Sequence, residues 1–398
     1  MINIVFASNW FNHHEKFFCD AISAQPDVHF HFIQTERIPE DRLSLGYQDM
    51  TKQTPYCICS YESEQSYREA MDICNNADAL ILGSAPYEFI AERVKNNKLT
   101  FFYAERLFRN GLWHMLYPPT FLTVLKRFII PGNKSNFYML CASGYTALDC
   151  HKIFAFRRRY FRWGHFIDVK HFDSIDELME SKKEKNQKKV SILWAGRFLK
   201  LKHPDMVVEV ADRLRQDGYD FELNFIGSGE LEDSLKHEVI RRDLSEHVRF
   251  LGTMSPQEVR TFMEKSEIYL FTSDFNEGWG AVLGEAMASG CAAVTSHGIG
   301  ATPFLAHHKE NALVYETGNV ESLFRNVKKL MDSEEIRTEL ARNAIETMQN
   351  LWNARVGAKR FYNVVNTLME GRSVPEFAEG PMSKAELLKN NWFKDDTI

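Results

Sequence analysis

The chain has 398 residues, of which 44% are apolar and 26% charged, and a formal net charge of −6. That length suits two domains of ordinary size and the balance is globular. The acidic sum argues against a general nucleic-acid binder. Seven cysteines, an odd number without zinc-type spacing, suit free thiols in a reducing cytoplasm.

The N-terminus, "MINIVFASNW", lacks the basic n-region of a signal peptide. "INIVFAS" reads as a first strand, followed by a helical pattern from His13 to about Ala24. "VHFHFI", "PYCIC", "ADALILG", "LTFFYA" and "FYMLCAS" continue as short apolar strands with polar or helical stretches between them. This alternation predicts a parallel sheet with helices on both faces. "ESKKEKNQKK", Glu180 to Lys189, is the best linker candidate. The alternation then restarts with "VSILWAG", "FELNFIG", "VRFLG", "IYLFTS" and "CAAVTS". Helices are expected over Pro204–Gln216, Glu230–Arg242, Pro256–Lys265, Gly280–Ser289 and Val320–Met331. The division expected is 1–180, 190–350, a helix over 351–370 and a tail over 371–398.

Charge is unevenly spread. Residues 106–166 carry ten lysines and arginines against one acid, Asp149. Two readings stay open: a solvated basic face, or a surface that meets anionic lipid or a phosphorylated substrate. Aromatic and aliphatic residues are interleaved with these cations. No apolar run reaches the roughly 18 residues of a membrane span. Phe121 to Ile130 comes nearest, and Lys126 and Arg127 interrupt it.

In the second half the unusual residues fall just after strands: Gly196-Arg197, Gly227-Ser228-Gly229, Gly252-Thr253 and Ser273 to Gly280. Open parallel sheets bind ligands outside the carboxyl ends of their strands. Arg197 and Lys202, on one strand-to-helix loop, suit a diphosphate. Gly227 and Gly229 let backbone N–H groups approach an anion or a sugar. Glu232 stands where a dinucleotide fingerprint needs its third glycine, which disfavours a nicotinamide or flavin site. "NEGWGAVLGEAMASGC" holds Glu277 and Glu285 with seven residues between them. Helical rise puts them roughly 12 Å apart, beyond the roughly 5 to 9.5 Å of a glycosidase pair. They read better as two holds on one elongated ligand, with a helix N-terminus between them facing phosphate. A solvated acid before a helix and a second acid on its surface would give the same spacing.

"NEGWGAVLGEAMASGCAAVTS" resembles the E-x7-E segment of the retaining glycosyltransferases of family 4, which have the GT-B fold. "GRFLKLK", "FIGSGEL", "VRFLG" and "LFTSDFNEG" match the family in order, and the resemblance covers roughly residues 190–351. It implies an α/β GT-B architecture, two Rossmann-like domains facing a central cleft. It also implies transfer of a sugar, with retention, from a UDP- or GDP-sugar to a glycan or lipid-linked acceptor, as in bacterial surface-polysaccharide synthesis. By resemblance Arg197 and Lys202 hold the donor diphosphate, Glu285 the ribose and Glu277 the transferred sugar. Gly196, Gly227, Gly229, Gly278, Trp279 and Gly280 then lie along the donor, and Thr253 near its base. No Asp-x-Asp motif stands in a suitable loop, so the expectation is no cofactor and no metal, with the cations replacing Mg²⁺. In the first half Glu105 or Arg106 stands where the family often has a histidine, and His13 and His14 follow the first strand. Two departures are His203, where the family commonly has glycine, and "SNWFNHHEK" in place of a glycine-rich loop. Apart from the resemblance, the location expected is cytoplasmic, with peripheral contact to an anionic inner membrane face through residues 106–166 on the second of the two readings of the basic stretch. A nucleotide-sugar epimerase or hydrolase, or a non-catalytic nucleotide-sugar-binding module, are the alternatives.

Overall fold

Among the described residues, thirteen short runs rich in β-branched and aromatic residues form two sheets whose neighbouring strands run parallel. The structure, a computed structural model, describes residues 1–40, 49–109, 111–170, 174–185 and 189–395. The first sheet uses β1 (Ile2–Ser8), β2 (Val28–Gln34), β3 (Cys57–Cys59), β4 (Ala79–Leu82), β5 (Thr100–Ala104), β6 (Phe137–Cys141) and β7 (Tyr160–Arg162). Its order is β3-β2-β1-β4-β5-β6-β7. The second uses β8 (Val190–Ala195), β9 (Phe221–Ile226), β10 (Val248–Phe250), β11 (Ile268–Phe271), β12 (Ala292–Ser296) and β13 (Leu313–Tyr315), in the order β10-β9-β8-β11-β12-β13. Every pairing is parallel. Strand order reverses between β1 and β4 in one sheet and between β8 and β11 in the other. Such switch points open a crevice at the strand ends.

Two units result, Met1–Ile167 with Trp352–Lys389, and Asp168–Leu351 with the C-terminal residues from Asn390. In the first, Phe6, Phe18, Trp163 and Phe361 share one core. Phe361 belongs to the helix Ala354–Met369, which packs on the helix His13–Ser23. In the second, Trp194 and Phe198 stack at 5.4 Å inside a core that reaches Leu340.

Three expectations are corrected. Most of the proposed linker is helix, Ile175–Lys185. Its Lys182 is 4% exposed and donates to the carbonyls of Met263 (3.0 Å) and Ser266 (2.7 Å). Those bonds let a charged residue sit inside, a burial that composition alone does not reveal. The expected tail is docked through its described residues, up to 395. Met382 is buried and its N–H donates to Arg162 O at 2.9 Å. Farther on, Trp392 donates to His297 O at 3.3 Å and Phe393 packs on His308. Finally, the helix expected over Gly280–Ser289 is Ala281–Ala288, because Gly280 is left-handed (φ +80°) and caps it. All seven cysteines are free thiols.

Candidate functional site

The loops that follow β8, β9, β10 and β11 are tied together by their own backbones. Phe198 N–H donates to Ser228 O (2.9 Å), Gly227 N–H to Gly252 O (2.8 Å) and Asp274 N–H to Leu201 O (2.9 Å). Thr253 Oγ1 reaches Ser228 Oγ at 3.1 Å. Glycine is obligatory at the centre. A Cβ on Gly227 (φ +129°) would lie 2.0 Å from Gly196 O, and one on Gly229 (φ +156°) would lie 2.7 Å from Phe198 O. Two chain segments therefore pass at backbone contact, which leaves peptide groups rather than side chains to line this part of the site.

Lys202 and Glu277 face each other across these loops in a direct ion pair, both largely buried. Thr272 donates to Lys202 O (2.6 Å) and takes a hydrogen bond from the Trp194 indole (3.0 Å), fixing the lysine's backbone to the core. Asp274 starts the turn that carries Glu277. It accepts from Asn276 N–H at 2.8 Å, and its carbonyl accepts from Glu277 N–H at 3.1 Å. A cation and an anion so placed offer one ligand both a partner for phosphate and an acceptor for hydroxyls. Arg197 is exposed on the same loop as Lys202.

Glu285 lies in the helix Ala281–Ala288, where burial raises its carboxyl pKa against the pull of Arg260. Glu285 and Glu277 both act on the Tyr269 hydroxyl, which burial has already pushed far up and which donates to Ala195 O at 3.1 Å. Because residues 277–280 lie outside the helix, helical rise does not measure the separation of the two glutamates. Gly278 and Trp279 are held by their carbonyls, which accept from Gly300 N–H (3.1 Å) and Ala301 N–H (2.9 Å). The Trp279 ring is buried against Phe304, so any part it has at the site is through its backbone.

The first unit gathers a second set of groups at its own strand ends. His13 and His14 follow β1 with ring centroids 4.0 Å apart, and His14 lies 5.1 Å from His165, beyond β7. His165 Nε2 is 3.4 Å from Glu105 Oε1, just past β5, and Arg109 donates to Glu105 Oε2 at 2.5 Å. Glu15 stands beside them, half-buried, with its Oε2 out of contact with solvent. Its Oε2 has no hydrogen-bond partner among the described residues. Burial pushes its carboxyl up to about 7, opposed by His165, and burial pushes His14 well below the usual imidazole range. Arg106 goes elsewhere: it is 3.6 Å from Asp149 and lies over the Tyr145 ring. Glu15 and His165 were not among the residues singled out from sequence. Glu15 looks like an ordinary first-turn helix acid, and His165 lies about 150 residues from its partners at β1.

Residues 175–347, within the second unit, match the family described as Glycosyl transferases group 1. Among curated relatives, an uncharacterized glycosyltransferase of Haemophilus influenzae is 29% identical over 38% of this chain and 42% of its own length. The Campylobacter jejuni N-acetylgalactosamine-N,N'-diacetylbacillosaminyl-diphospho-undecaprenol 4-alpha-N-acetylgalactosaminyltransferase is 32% identical over 37% of this chain and 38% of its own. The chain spans less than half the length of the curated relatives it matches. Among solved structures, Anabaena HepE in complex with UDP aligns with TM-score 0.66 at 12% identity, over 92% of this chain and 100% of that one. Sucrose-phosphate synthase of Thermosynechococcus elongatus aligns with TM-score 0.66 at 14% identity, over 93% and 100%. At such identity the likeness is one of fold alone: this chain, like both neighbours, is built of two parallel-sheet α/β domains, the GT-B architecture.

Proposed function

We propose that this chain is a retaining glycosyltransferase that moves a sugar from a UDP- or GDP-sugar to a glycan or lipid-linked acceptor. The observation that carries this reading is the Lys202–Glu277 pair set among four backbone-tied loops at a topological switch point. Lys202 and Arg197 stabilise the negative charge that develops on the leaving diphosphate. The start of the helix Ala281–Ala288 adds N–H groups to the same end. Glu277 accepts hydrogen bonds from the transferred sugar's hydroxyls and positions it, while Glu285 does the same for the ribose. Gly227, Gly229 and Gly252-Thr253 bring backbone close to the nucleotide. With two cations at the diphosphate, turnover proceeds without a divalent metal. The first unit's Glu105, His13, His14 and His165 stand at its own strand ends, and an acceptor is the ligand proposed for that unit. Glycan assembly on a lipid carrier suits the relative from Campylobacter jejuni and is the role proposed here.

The test is a screen of UDP- and GDP-sugars read by nucleotide release, with and without EDTA, followed by anomeric analysis of the product. Release that needs an added acceptor and persists in EDTA is expected. Release without any acceptor would point to a hydrolase instead, and tight donor binding without turnover to a binding module.

A further inference from the structure

Twelve large apolar side chains stand exposed among the described residues, and seven of them fall between Leu112 and Ile130. Trp113 is 63% exposed, Leu116 86% and Tyr117 64%. A short 3-10 turn, Leu112–Leu116, packs on the helix that starts at Pro118. That helix runs on through a π turn, Leu125–Ile129, to Gly132. Its inner side holds Val124 and Phe128, the latter against Phe102. Its outer side shows Phe121, Leu122, Lys126 and Ile130.

A separate loop extends the same face. Phe154, 80% exposed, and Arg157 and Arg158 come from a segment that crosses the end of this helix. A Cβ on Gly132 would meet Phe156 N at 2.8 Å, and Arg157 Nε donates to Asn133 Oδ1 at 2.9 Å. Phe154, Phe156, Arg157 and Arg158 all have positive φ, +56°, +58°, +39° and +67°. Non-glycine residues held that way are strained, and such strain collects where function requires it. Here it turns an apolar ring and two guanidinium groups outward.

The basic stretch sorts itself by use. Arg127 donates to Gly83 O and Ala85 O, and Arg159 to the carbonyls of Phe137, Gly132 and Lys134. Arg106 and Arg162 pair with Asp149 and Glu386, and Arg109 with Glu105. Lys126, Lys152, Arg157 and Arg158 are exposed. The lone acid of the stretch, Asp149, is 1% exposed. The face is therefore apolar and cationic with no acid of its own stretch showing. No helix among the described residues is long and apolar enough to cross a membrane.

We propose that this face, Leu112 to Ile130 with the loop Phe154–Arg158, docks on the surface of an anionic lipid bilayer. The apolar side chains enter the boundary between headgroups and acyl chains, and the cations meet lipid phosphates. A soluble acidic partner would match the cations but leave Leu116 and Phe154 without an apolar environment. A second copy of this chain would bring the same cations face to face. The inference stands apart from the sugar chemistry proposed above.

The experiment is flotation of the full chain with vesicles of phosphatidylcholine alone or with one third phosphatidylglycerol. Flotation with the anionic vesicles, falling as salt rises, is expected. Trp113→Ser/Leu116→Ser/Phe154→Ser should cut bound protein about tenfold or more, in line with the apolar surface removed. Arg157→Glu/Arg158→Glu should abolish the preference for anionic lipid. Ile240→Ser/Met369→Ser, which alters exposed apolar residues elsewhere, should float as wild type. Melting temperatures and nucleotide release in solution, measured on every variant, separate this face from the donor site. Failure to float, or equal flotation of the triple-serine variant, would overturn the proposal. So would a light-scattering mass of a dimer that the triple-serine variant returns to a monomer.

Discussion

The two units carry their chemical groups at equivalent places, beyond the strand ends of a parallel sheet, yet hold them by different means. In the second unit backbone does the holding: Gly196, Gly227 and Gly252 bring loops into contact, and the ion pair Lys202–Glu277 sets charge among them. In the first unit side chains do it, with three imidazoles and two carboxylates packed together and partly buried. A site of backbone groups suits a ligand of fixed shape and charge. A site of titratable groups responds to pH. The difference can be tested by disturbing each kind of support in turn.

The largest effect should come from Gly227→Ala. The new methyl would meet Gly196 O at 2.0 Å in a backbone conformation that alanine rarely adopts. One loop must move, and a cost of about 3 kcal/mol or more is expected. Urea unfolding would read it, and donor binding should vanish with it. Gly218→Ala, also at positive φ (+81°) but with open space around its Cβ, should cost only about 1 kcal/mol. Equal losses at both positions would show that the backbone contact is not what holds the loops.

Next come the charges. Lys202→Met should lower kcat by roughly 10²- to 10³-fold, the size of losing one preorganised transition-state contact. Glu277→Gln should lower turnover as well, chiefly through kcat, while leaving the fold intact. Unchanged kinetics in either variant would remove the pair from the reaction. These residues were readable in advance because each lies a few positions past a strand in its own continuous motif. What could not be read was their mutual pairing, since 75 residues separate them. The first unit's cluster was harder. His13 and His14 were visible as a pair beyond β1, but Glu105 and His165 join them only through the order of β1, β4, β5, β6 and β7. The buried Lys182 shows the same limit: a run of charges reads as a solvated linker until the fold supplies two carbonyls for the ammonium.

The first unit's cluster should answer to pH through two groups of opposite sign. Glu15 has a folded pKa of about 7 against about 4.5 in the unfolded chain. A raised value means that the folded state holds the proton more tightly. Its contribution is therefore full below about pH 4.5 and is lost as pH rises through 7. The shift corresponds to roughly 3 kcal/mol at most. Glu15→Gln should thus be more stable than wild type at pH 8, and the gap should close at pH 5. His14 works in the opposite direction: its lowered pKa costs stability as pH falls below 6.5. The two variants, Glu15→Gln and His14→Asn, should therefore change the slope of stability against pH with opposite sign. A pair of parallel pH profiles would mean that this cluster is not sealed from water.

The smallest effect concerns a point where a side chain intrudes on the backbone-held site. His203 sits between the Lys200–Lys202 turn and the helix Pro204–Gln216 with φ +47°. This is the position where the resembling family commonly has glycine, and the conformation explains that preference, since a Cβ there costs about 1 kcal/mol. The imidazole gives something back. Its Nε2 lies 3.4 Å from Asp274 Oδ2, in the turn that carries Glu277. His203→Gly should relieve the backbone and release Asp274, so stability should change by less than about 1 kcal/mol. Its kinetic effect, if the contact steadies Glu277, should appear as a few-fold fall in kcat. His203→Ala separates the two terms: it keeps the strain and loses the contact, and should be worse than glycine on both measures. If alanine matches wild type, Asp274 is held by its own turn, and the backbone alone governs this site.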